Sequence, residues 1–600
     1  MVEMKFHIVN RIQSQIVSLS EQAAMRHKVD GQWLDISWRE LGQQLDNIAA
    51  AIAASGVQVQ DKIAIYANNM ARWTMVDVAA LYNRAITVPI YPTNTAKQAE
   101  YVINDAGARI LFVGEQAQLN AAVEMLAQCP SLETVVALTD GLEMPDNSQV
   151  VTFAEFIARA NDAARADVQA RLDSKTMDDL VTLIYTSGTT GQPKGVMLDY
   201  ANIASQFEAH DVTLAFNQGE RSLCFLPLSH VFERAWTFYV MHRGGVNCYL
   251  SDVNAIKETL LEVQPHVMCA VPRFYEKIFA AIHEKVSKAS FVRKALFTWA
   301  VNMGARMAAV RRECREPSLM LRQSHKLADK LVLSKVRAAL GGEIKMMPCG
   351  GAKLDPTIGR FFHALGINVK LGYGMTETTA TVSCWDDRCF DADSIGMTMP
   401  GAEVRIGDDN EILVKGPMVM RGYYNMPEET AKTFTEDGFL KTGDCGQIDA
   451  NGNLFITDRI KELMKTSNGK YIAPQVIEGA IGKDHFIEQI AVIADTRKFV
   501  SALIVPCMDN LEEYARELNI AYHDRLELLK HSQIVEMIEK RVNELQKDLA
   551  RFEQVKKFTL LSKPFSMDNG ELTPTMKLRR KVINERYSLQ IEDMYAEARS

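Results

Sequence analysis

Residues 185–196 read Tyr-Thr-Ser-Gly-Thr-Thr-Gly-Gln-Pro-Lys-Gly-Val, and their chemistry is that of anion binding. Thr186, Ser187, Gly188, Thr189, Thr190 and Gly191 form an unbroken run of small or hydroxylated residues. Small residues let main-chain N–H groups close on a phosphate, and hydroxyls add donors. Lys194 adds a mobile positive charge. The order differs from the Walker pattern Gly-x-x-x-x-Gly-Lys-Ser/Thr, because Pro193 precedes the lysine and Gly195 follows it. A flexible surface turn would need no such density of hydroxyls beside a lysine.

Further stretches could place reactive groups around such a cradle. In Leu371-Gly-Tyr-Gly-Met-Thr-Glu-Thr-Thr379, the Tyr373 ring can stack on a flat ligand, and the flanking glycines keep the backbone close. Glu377 offers a hard oxygen, suited to Mg²⁺, which takes few protein carboxylates and shares phosphate oxygens. Gly350 and Gly351, after the strand-like Ile344–Met347, admit a close approach, although a simple bend explains a Gly-Gly pair as well. The Asp444 carboxylate of Lys441-Thr-Gly-Asp444 can accept both hydroxyls of a ribose, while an isolated Thr-Gly-Asp is also a common turn. His230 in Leu226-Pro-Leu-Ser-His-Val-Phe-Glu-Arg234 follows a strand, where histidine is more often structural than functional. Lys577 stands in a basic run, Lys577-Leu-Arg-Arg580, of the kind that is usually only solvated, but Pro574-Thr575 stiffens its approach.

In this order and at these distances the stretches resemble the motifs of the adenylate-forming superfamily, which includes acyl-CoA synthetases, firefly-type luciferases and peptide-synthetase adenylation domains. The resemblance implies that the loop from Thr186 to Lys194 holds the phosphates of ATP. Gly350, Gly351, Tyr373, Gly374, Met375 and Thr376 would line the adenine pocket, Asp444 would take the ribose, and Arg459 the ribose or phosphate. Thr186 and Glu377 would hold Mg²⁺, and His230 would lie near the acyl carboxylate. Lys461 falls at the family's interdomain hinge, and Lys577 matches its catalytic lysine. The form of 226–234 and of Lys465-Thr-Ser-Asn-Gly-Lys-Tyr-Ile-Ala-Pro474 is similar to the long-chain acyl-CoA synthetase branch. The implied reaction joins a fatty acid to ATP as acyl-AMP with release of pyrophosphate, then transfers the acyl group to CoA. Trp236 is either a gate to an acyl tunnel or a core residue. The rivals are a fatty acyl-AMP ligase that serves a carrier protein, a CoA ligase for medium-chain or aromatic acids, and a non-catalytic nucleotide or lipid binder. No Asp/Asn-Ser-Leu carrier motif follows Lys577, which speaks against a peptide-synthetase module, and nothing speaks for a luciferin pocket.

The elements that must position these residues follow from periodicity. Helix-like and strand-like stretches alternate from Ser37 to Gly114: helices over 38–54, 72–85 and 96–105, strands over 62–67, 86–90 and 109–113. Such alternation predicts a mainly parallel sheet with helices on its faces. The apolar, β-branched run 179–185 reads as a buried strand leading into the loop. The expected fold is α/β: a large multi-layer N-terminal domain of sheets flanked by helices (1–459) and, by the resemblance, a small mobile α+β C-terminal lid (460–600). Strands are expected within 490–506. A helix is expected over 534–552, where Ile534, Ile538, Val542, Leu545, Leu549 and Phe552 make one stripe.

A net charge of −8 argues against a general nucleic-acid binder. The ten cysteines form no C-x-x-C pair, so neither a zinc site nor a disulfide framework is expected, and a reducing cytoplasm is the simpler setting. No signal peptide or membrane span is expected. One region departs from the acidic average: 285–337 carries 13 Lys or Arg against three acids, about +10, on a helical insertion. It is either a solvated face or a patch for anionic lipid or an anionic substrate such as CoA. Peripheral contact with the inner face of the membrane is one expectation; composition says nothing of oligomeric state.

Overall fold

The computed structural model describes residues 3–186, 192–313, 315–387, 390–459, 464–467, 470–547, 549–573 and 576–596. The chain divides by contacts into two units. The first comprises 1–275, 289–442 and 447–455; the second comprises 276–288, 443–446 and 456–600.

The first unit is built on an eight-stranded sheet. Its strand order is Gly422–Tyr423, Lys194–Asp199, Leu180–Thr186, Ile86–Ile90, Lys62–Tyr66, Ala108–Val113, Thr134–Ala137, Val150–Thr152. The six strands from Leu180–Thr186 onward pair in parallel, and the first two pair antiparallel, closing one edge. Side chains on successive strand residues point to opposite faces. Accordingly Ile63, Ile65, Ile110 and Phe112 enter one core cluster, while Ala64, Tyr66, Leu111 and Val113 enter another. A sheet covered on both faces reads as continuous apolar runs, which is the pattern of 62–66 and 108–113. Helix Trp38–Ala54 begins with a capping box in which Ser37 and Glu40 satisfy each other's backbone N–H groups. The expected helices and strands of 38–113 all occur, with ends shifted by a few residues.

Two four-stranded sheets complete the part of this unit that matters for the site. One has the order Arg221–Cys224, Val246–Tyr249, Ala23–Val29, Gln32–Ser37; the other has Met346–Cys349, Asn368–Tyr373, Ser383–Cys384, Met397–Thr398. The basic region forms helices Phe291–Arg312 and Leu319–Ala328, followed by Ser334–Ala338. Ala300, Gly304 and Met307 are its buried inner face. A Cβ on Gly304 would lie 1.9 Å from the Ala364 carbonyl oxygen, so helix Pro356–Ala364 passes too close for any side chain there. Gly304→Ala is therefore expected to lower stability by about 1–3 kcal/mol, the usual cost of overpacking. In an open helix the same change would raise stability by about 1 kcal/mol. A shift of the denaturation midpoint to higher denaturant would refute the close crossing.

In the second unit, strands Ile487–Ile493, Val500–Pro506 and Val555–Leu560 form one sheet, the first pair antiparallel and the second parallel. Alternation again sorts the faces. Ile490, Val492, Ala502 and Ile504 pack with Ile534, Ile538 and Val542, whereas Ala491, Ile493, Leu503 and Val505 pack with Ile583, Ile591 and Tyr595. The helix expected over 534–552 is shorter than its apolar stripe: it spans Ser532–Leu545. Leu549 still packs against the core from the turn that follows, but Phe552 is exposed. The stripe continues past the helix because the returning turn covers the same sheet face, which periodicity does not distinguish from more helix. Among the described residues no helix is long and apolar enough to cross a membrane.

Candidate active site

The loop that opens the sequence argument is held by the hairpin Leu180–Thr186 and Lys194–Asp199, in which Thr186 pairs with Lys194. Ser187, Gly188, Thr189, Thr190 and Gly191 lie outside the described residues, so the structure fixes the two ends of the loop. The ends are braced by contacts: Tyr185 donates a 2.6 Å hydrogen bond to Asp105, and a Cβ on Gly195 would meet the Tyr185 ring at 3.1 Å. Lys194 Nζ lies 2.7 Å from the Glu429 carboxylate and 5.0 Å from the centre of the Tyr423 ring. Hydrogen bonds from Lys194 and then Lys432 hold the Glu429 carboxyl down at about 2.

Tyr423 joins this lysine to the second motif. Its hydroxyl donates to Glu377 Oε1 at 2.8 Å. Burial, then the neighbouring Glu377 carboxylate, pushes the Tyr423 phenol well above its ordinary range. Among the described residues the other Glu377 oxygen receives no hydrogen bond. Glu377 is only 7% exposed, on a 3₁₀ turn at Thr376–Thr378 that follows strand Asn368–Tyr373. The turn is tight: Thr379 and Ala380 take positive φ values of 52° and 84°. A Cβ on Gly374 would fall 1.9 Å from the Ala380 carbonyl oxygen, so this glycine is required by the turn's own closure. Thr378 Oγ1 accepts from the Met375 N–H at 3.0 Å, Thr379 donates to the Met418 carbonyl at 2.7 Å, and Gln206 donates to the Thr381 carbonyl at 3.0 Å.

Two further motifs end beside this turn. Strand Met346–Cys349 runs parallel to Asn368–Tyr373, so Gly350–Gly351 and Gly374–Glu377 emerge from the same sheet end, where α/β folds bind ligands. Gly351 has φ +87°, a conformation that side chains disfavour, and Gly350 faces the Phe232 ring at 3.5 Å from an added Cβ. Phe232 belongs to the 226–234 motif. His230 is the N-cap of helix Val231–His242, and its Nδ1 accepts the Phe232 N–H at 3.2 Å. Arg234 is buried and makes a bidentate pair with Asp77, at 2.8 and 2.7 Å, fastening this helix to helix Ala71–Tyr82. Breaking such a buried pair strands a charge. Glu233 is fully buried, and burial raises its carboxyl to about 8 against smaller opposing effects of Cys224 and the Leu226 backbone. Asn69 grips the same motif by accepting from the Leu228 N–H at 3.0 Å and donating to the Leu226 carbonyl at 2.7 Å. Trp236 is a core residue: it is buried, donates to Ser222 at 2.8 Å, and packs on Phe216 and Tyr239.

One small core cluster assembles these parts. Ile184 and Val196 flank the loop, and they pack with Val231 at the start of the His230-capped helix and with Met420 and Leu440. Met375, Ala380 and Tyr423 close against it. Thr186, Lys194, His230, Gly350, Gly351, Tyr373, Gly374, Met375, Thr376 and Glu377 thus belong to elements of one unit joined by packing or strand pairing. Tyr423, Glu429, Asn69 and Asp77 are additions that the sequence motifs did not signal.

The remaining candidates belong to the second unit or fall outside the described residues. Asp444 is buried in strand Leu440–Ile448, and 443–446 group with the second unit. Arg459 ends strand Leu454–Arg459, its side chain outside the described parts; Lys461 lies outside the described residues altogether. Lys577 is exposed; the Thr573 N–H donates to the Lys577 carbonyl, the Lys577 N–H donates to Thr573 Oγ1, and Met576 has φ +62°. Leu572 and Leu578 bridge across the turn and root it in the core, and Arg580 pairs with Glu478 at 2.7 Å.

The fold, with loop motifs at the ends of parallel strands, is similar to that of solved adenylation domains. It is similar to the structure of the adenylation domain of a carboxylic acid reductase from Segniliparus rugosus in complex with AMP and a co-purified carboxylic acid (TM-score 0.75, 21% identity, covering 99% of this chain and 95% of that one). The model of the AMP-binding enzyme family matches residues 16–424, and that of the AMP-binding enzyme C-terminal domain matches 461–599. The chain is 33% identical over 573 residues to the long-chain-fatty-acid–CoA ligase FadD15 of Mycobacterium bovis, covering 94% of this chain and 93% of that protein. It is 30% identical to the peroxisomal long chain acyl-CoA synthetase 7 of Arabidopsis thaliana, covering 95% and 83%. This chain belongs to the AMP-binding enzyme family.

Proposed function

We propose that this protein is an AMP-forming long-chain-fatty-acid–CoA ligase. It activates the acid with ATP to acyl-AMP and pyrophosphate, and then passes the acyl group to CoA with release of AMP. The carrying observation is the sequence likeness, over almost the whole chain, to proteins named long-chain acyl-CoA ligases or synthetases; the packing of Ile184, Val196, Val231 and Met375, neighbours of the loop ends, His230 and Glu377, in one cluster supports it.

A carboxylate is a poor acyl donor, since its leaving group would be oxide. Attack of its oxygen on the α-phosphorus of ATP forms a mixed anhydride and expels pyrophosphate; attack of the CoA thiol on the anhydride carbonyl then expels AMP. Two anions must meet in the first step, so cationic and dipolar groups have to be placed beforehand. The Thr186–Lys194 loop would cradle the β- and γ-phosphates. For that, the flexible Lys194 side chain would exchange its Glu429 partner for phosphate. Tyr373 and the Gly350–Gly351 edge would hold the base, and Asp444 with Arg459 the ribose. His230, whose Nδ1 is engaged as a cap, would turn its other ring nitrogen toward the carboxylate. The Glu377 carboxylate and the Thr186 hydroxyl are the hard-oxygen donors that would hold Mg²⁺, an ion that prefers few protein carboxylates and shared phosphate oxygens. Bound there, the ion would neutralise phosphate charge. Lys577 would bridge the carboxylate and the α-phosphate. The boundary near residue 459, with Lys461 as hinge, would let a C-terminal lid serve the first step with Lys577 and withdraw for the second.

The test is a coupled assay across fatty acids from short to very long. CoA thioester and AMP are expected in equal amounts, with kcat/KM highest for long chains. AMP release that needs a carrier protein instead of CoA would favour an acyl-AMP ligase, and a maximum at medium-chain or aromatic acids would move the substrate class.

A further inference from the structure

The helices of 291–338 carry a concentration of exposed apolar side chains on the most basic part of the chain. Phe291, Val292, Leu319 and Met320 are 84, 73, 79 and 80% exposed, and Leu327 and Leu331 are 51 and 38% exposed. Met320, Leu327 and Leu331 are spaced by seven and four residues, which puts them in one row along the second helix and the turn after it. The opposite sides are already used: Ala300, Gly304 and Met307 pack inward on the first helix, and Ala328 and Leu333 on the segment that follows. The outward row therefore faces water.

Charge says what would cover it. Arg315 and Arg322 pair with Glu313 and Glu316, and Arg337 with Asp329. Lys326, Lys330 and Lys335 beside the row, and Arg293 and Lys294 beside Phe291, are exposed and form no ion pair among the described residues. A second copy of this chain would bring the same basic face against itself in a two-fold contact and be repelled. A soluble polyanion such as CoA or nucleic acid would use the lysines but leave the leucines wet. An anionic bilayer satisfies both, because apolar side chains enter the acyl boundary while lysine ammonium groups reach the phosphates.

We propose that the segment 291–338 is a docking surface for an anionic lipid bilayer. The ligase reading supplies a reason, since a long-chain acid partitions into membranes, but the surface is argued from exposure and charge alone.

The experiment is co-sedimentation of the full chain with vesicles of phosphatidylcholine, with and without about one third phosphatidylglycerol, at low and high salt. Binding is expected only to the anionic vesicles and is expected to weaken with salt. Lys326→Gln and Lys330→Gln should each weaken it about fivefold, and the double change Leu319→Ser, Met320→Ser about tenfold or more. Val212→Ser, at an apolar residue 73% exposed elsewhere, should leave binding unchanged. No vesicle binding, equal binding to neutral vesicles, salt-insensitive binding, or unaltered binding by the Leu319/Met320 variant would each overturn the proposal. So would a fall in sedimentation mass from dimer to monomer in that variant, which would assign the face to self-association. The measurement uses neither ATP, CoA nor acid, so its failure is separate from any failure of the ligase reading.

Discussion

Lys577→Ala is expected to slow acyl-adenylate formation by about 10²–10³-fold, the scale of losing one preorganised charge-stabilising group at a reacting centre. Thioester formation from supplied acyl-AMP and CoA should proceed within a few-fold of the wild type. The first half-reaction brings a carboxylate against a phosphate. Two unit charges about 4 Å apart repel by about 4 kcal/mol at an effective dielectric constant of 20, and only a cation held between them removes that cost. The second half-reaction brings a thiol to an anhydride whose acyl carboxylate charge is already gone, so the same lysine has no comparable part in it. The variant should fold, because the Lys577 side chain is exposed and its turn is held by hydrogen bonds of the Lys577 main chain to Thr573 and by Leu572 and Leu578. Pyrophosphate release reports the first step, and acyl-AMP consumption reports the second. Equal losses in both would remove Lys577 from the adenylation step.

Much of the molecule was legible because two periodicities write it. The sheet strands 62–66 and 108–113 announce burial on both faces by continuous apolar runs, and helix Trp38–Ala54 announces its start by Ser37 and Glu40. The glycines of 371–379 were readable as a close approach of backbone to a flat ligand, whereas Gly374 proves to be required by the closure of its own turn, where a Cβ would meet the Ala380 carbonyl. What stayed hidden depends on long-range neighbours. Tyr423 and Glu429 lie in a stretch without a motif, and they reach the loop only because strand Gly422–Tyr423 pairs with Lys194–Asp199, a register no local pattern encodes. Asp77 sits in a mostly apolar helix, and nothing near it forecasts that Arg234, far along the chain, neutralises it. The overlong estimate of the 534–552 helix has the opposite cause: a local stripe persisted where the chain had already turned.

Glu377→Gln is the sharper probe of the hard-oxygen pair, because it keeps the shape of the side chain and removes its charge. Pyrophosphate release is expected to fall by about 10²-fold, and the Mg²⁺ concentration for half-maximal rate should rise, since a neutral amide oxygen is a weak ligand for a small divalent ion. Tyr423→Phe separates the carboxylate's charge from its aim. That change deletes the hydroxyl 2.8 Å from Glu377 Oε1 while leaving the ring beside Lys194. A hydrogen bond to a charged group contributes about 1.5–3 kcal/mol, so Tyr423→Phe should cost about tenfold to a hundredfold if its whole effect reaches the reaction. If Tyr423 acts through Glu377, the double variant should be no slower than Glu377→Gln alone, because a carboxylate that is absent cannot be misdirected. Additive losses would instead place Tyr423 on the phosphates through Lys194. Unchanged Mg²⁺ dependence in Glu377→Gln would remove the carboxylate as a metal ligand and leave the Tyr423–Glu377 bond as a brace between strand Gly422–Tyr423 and the Thr376–Thr378 turn.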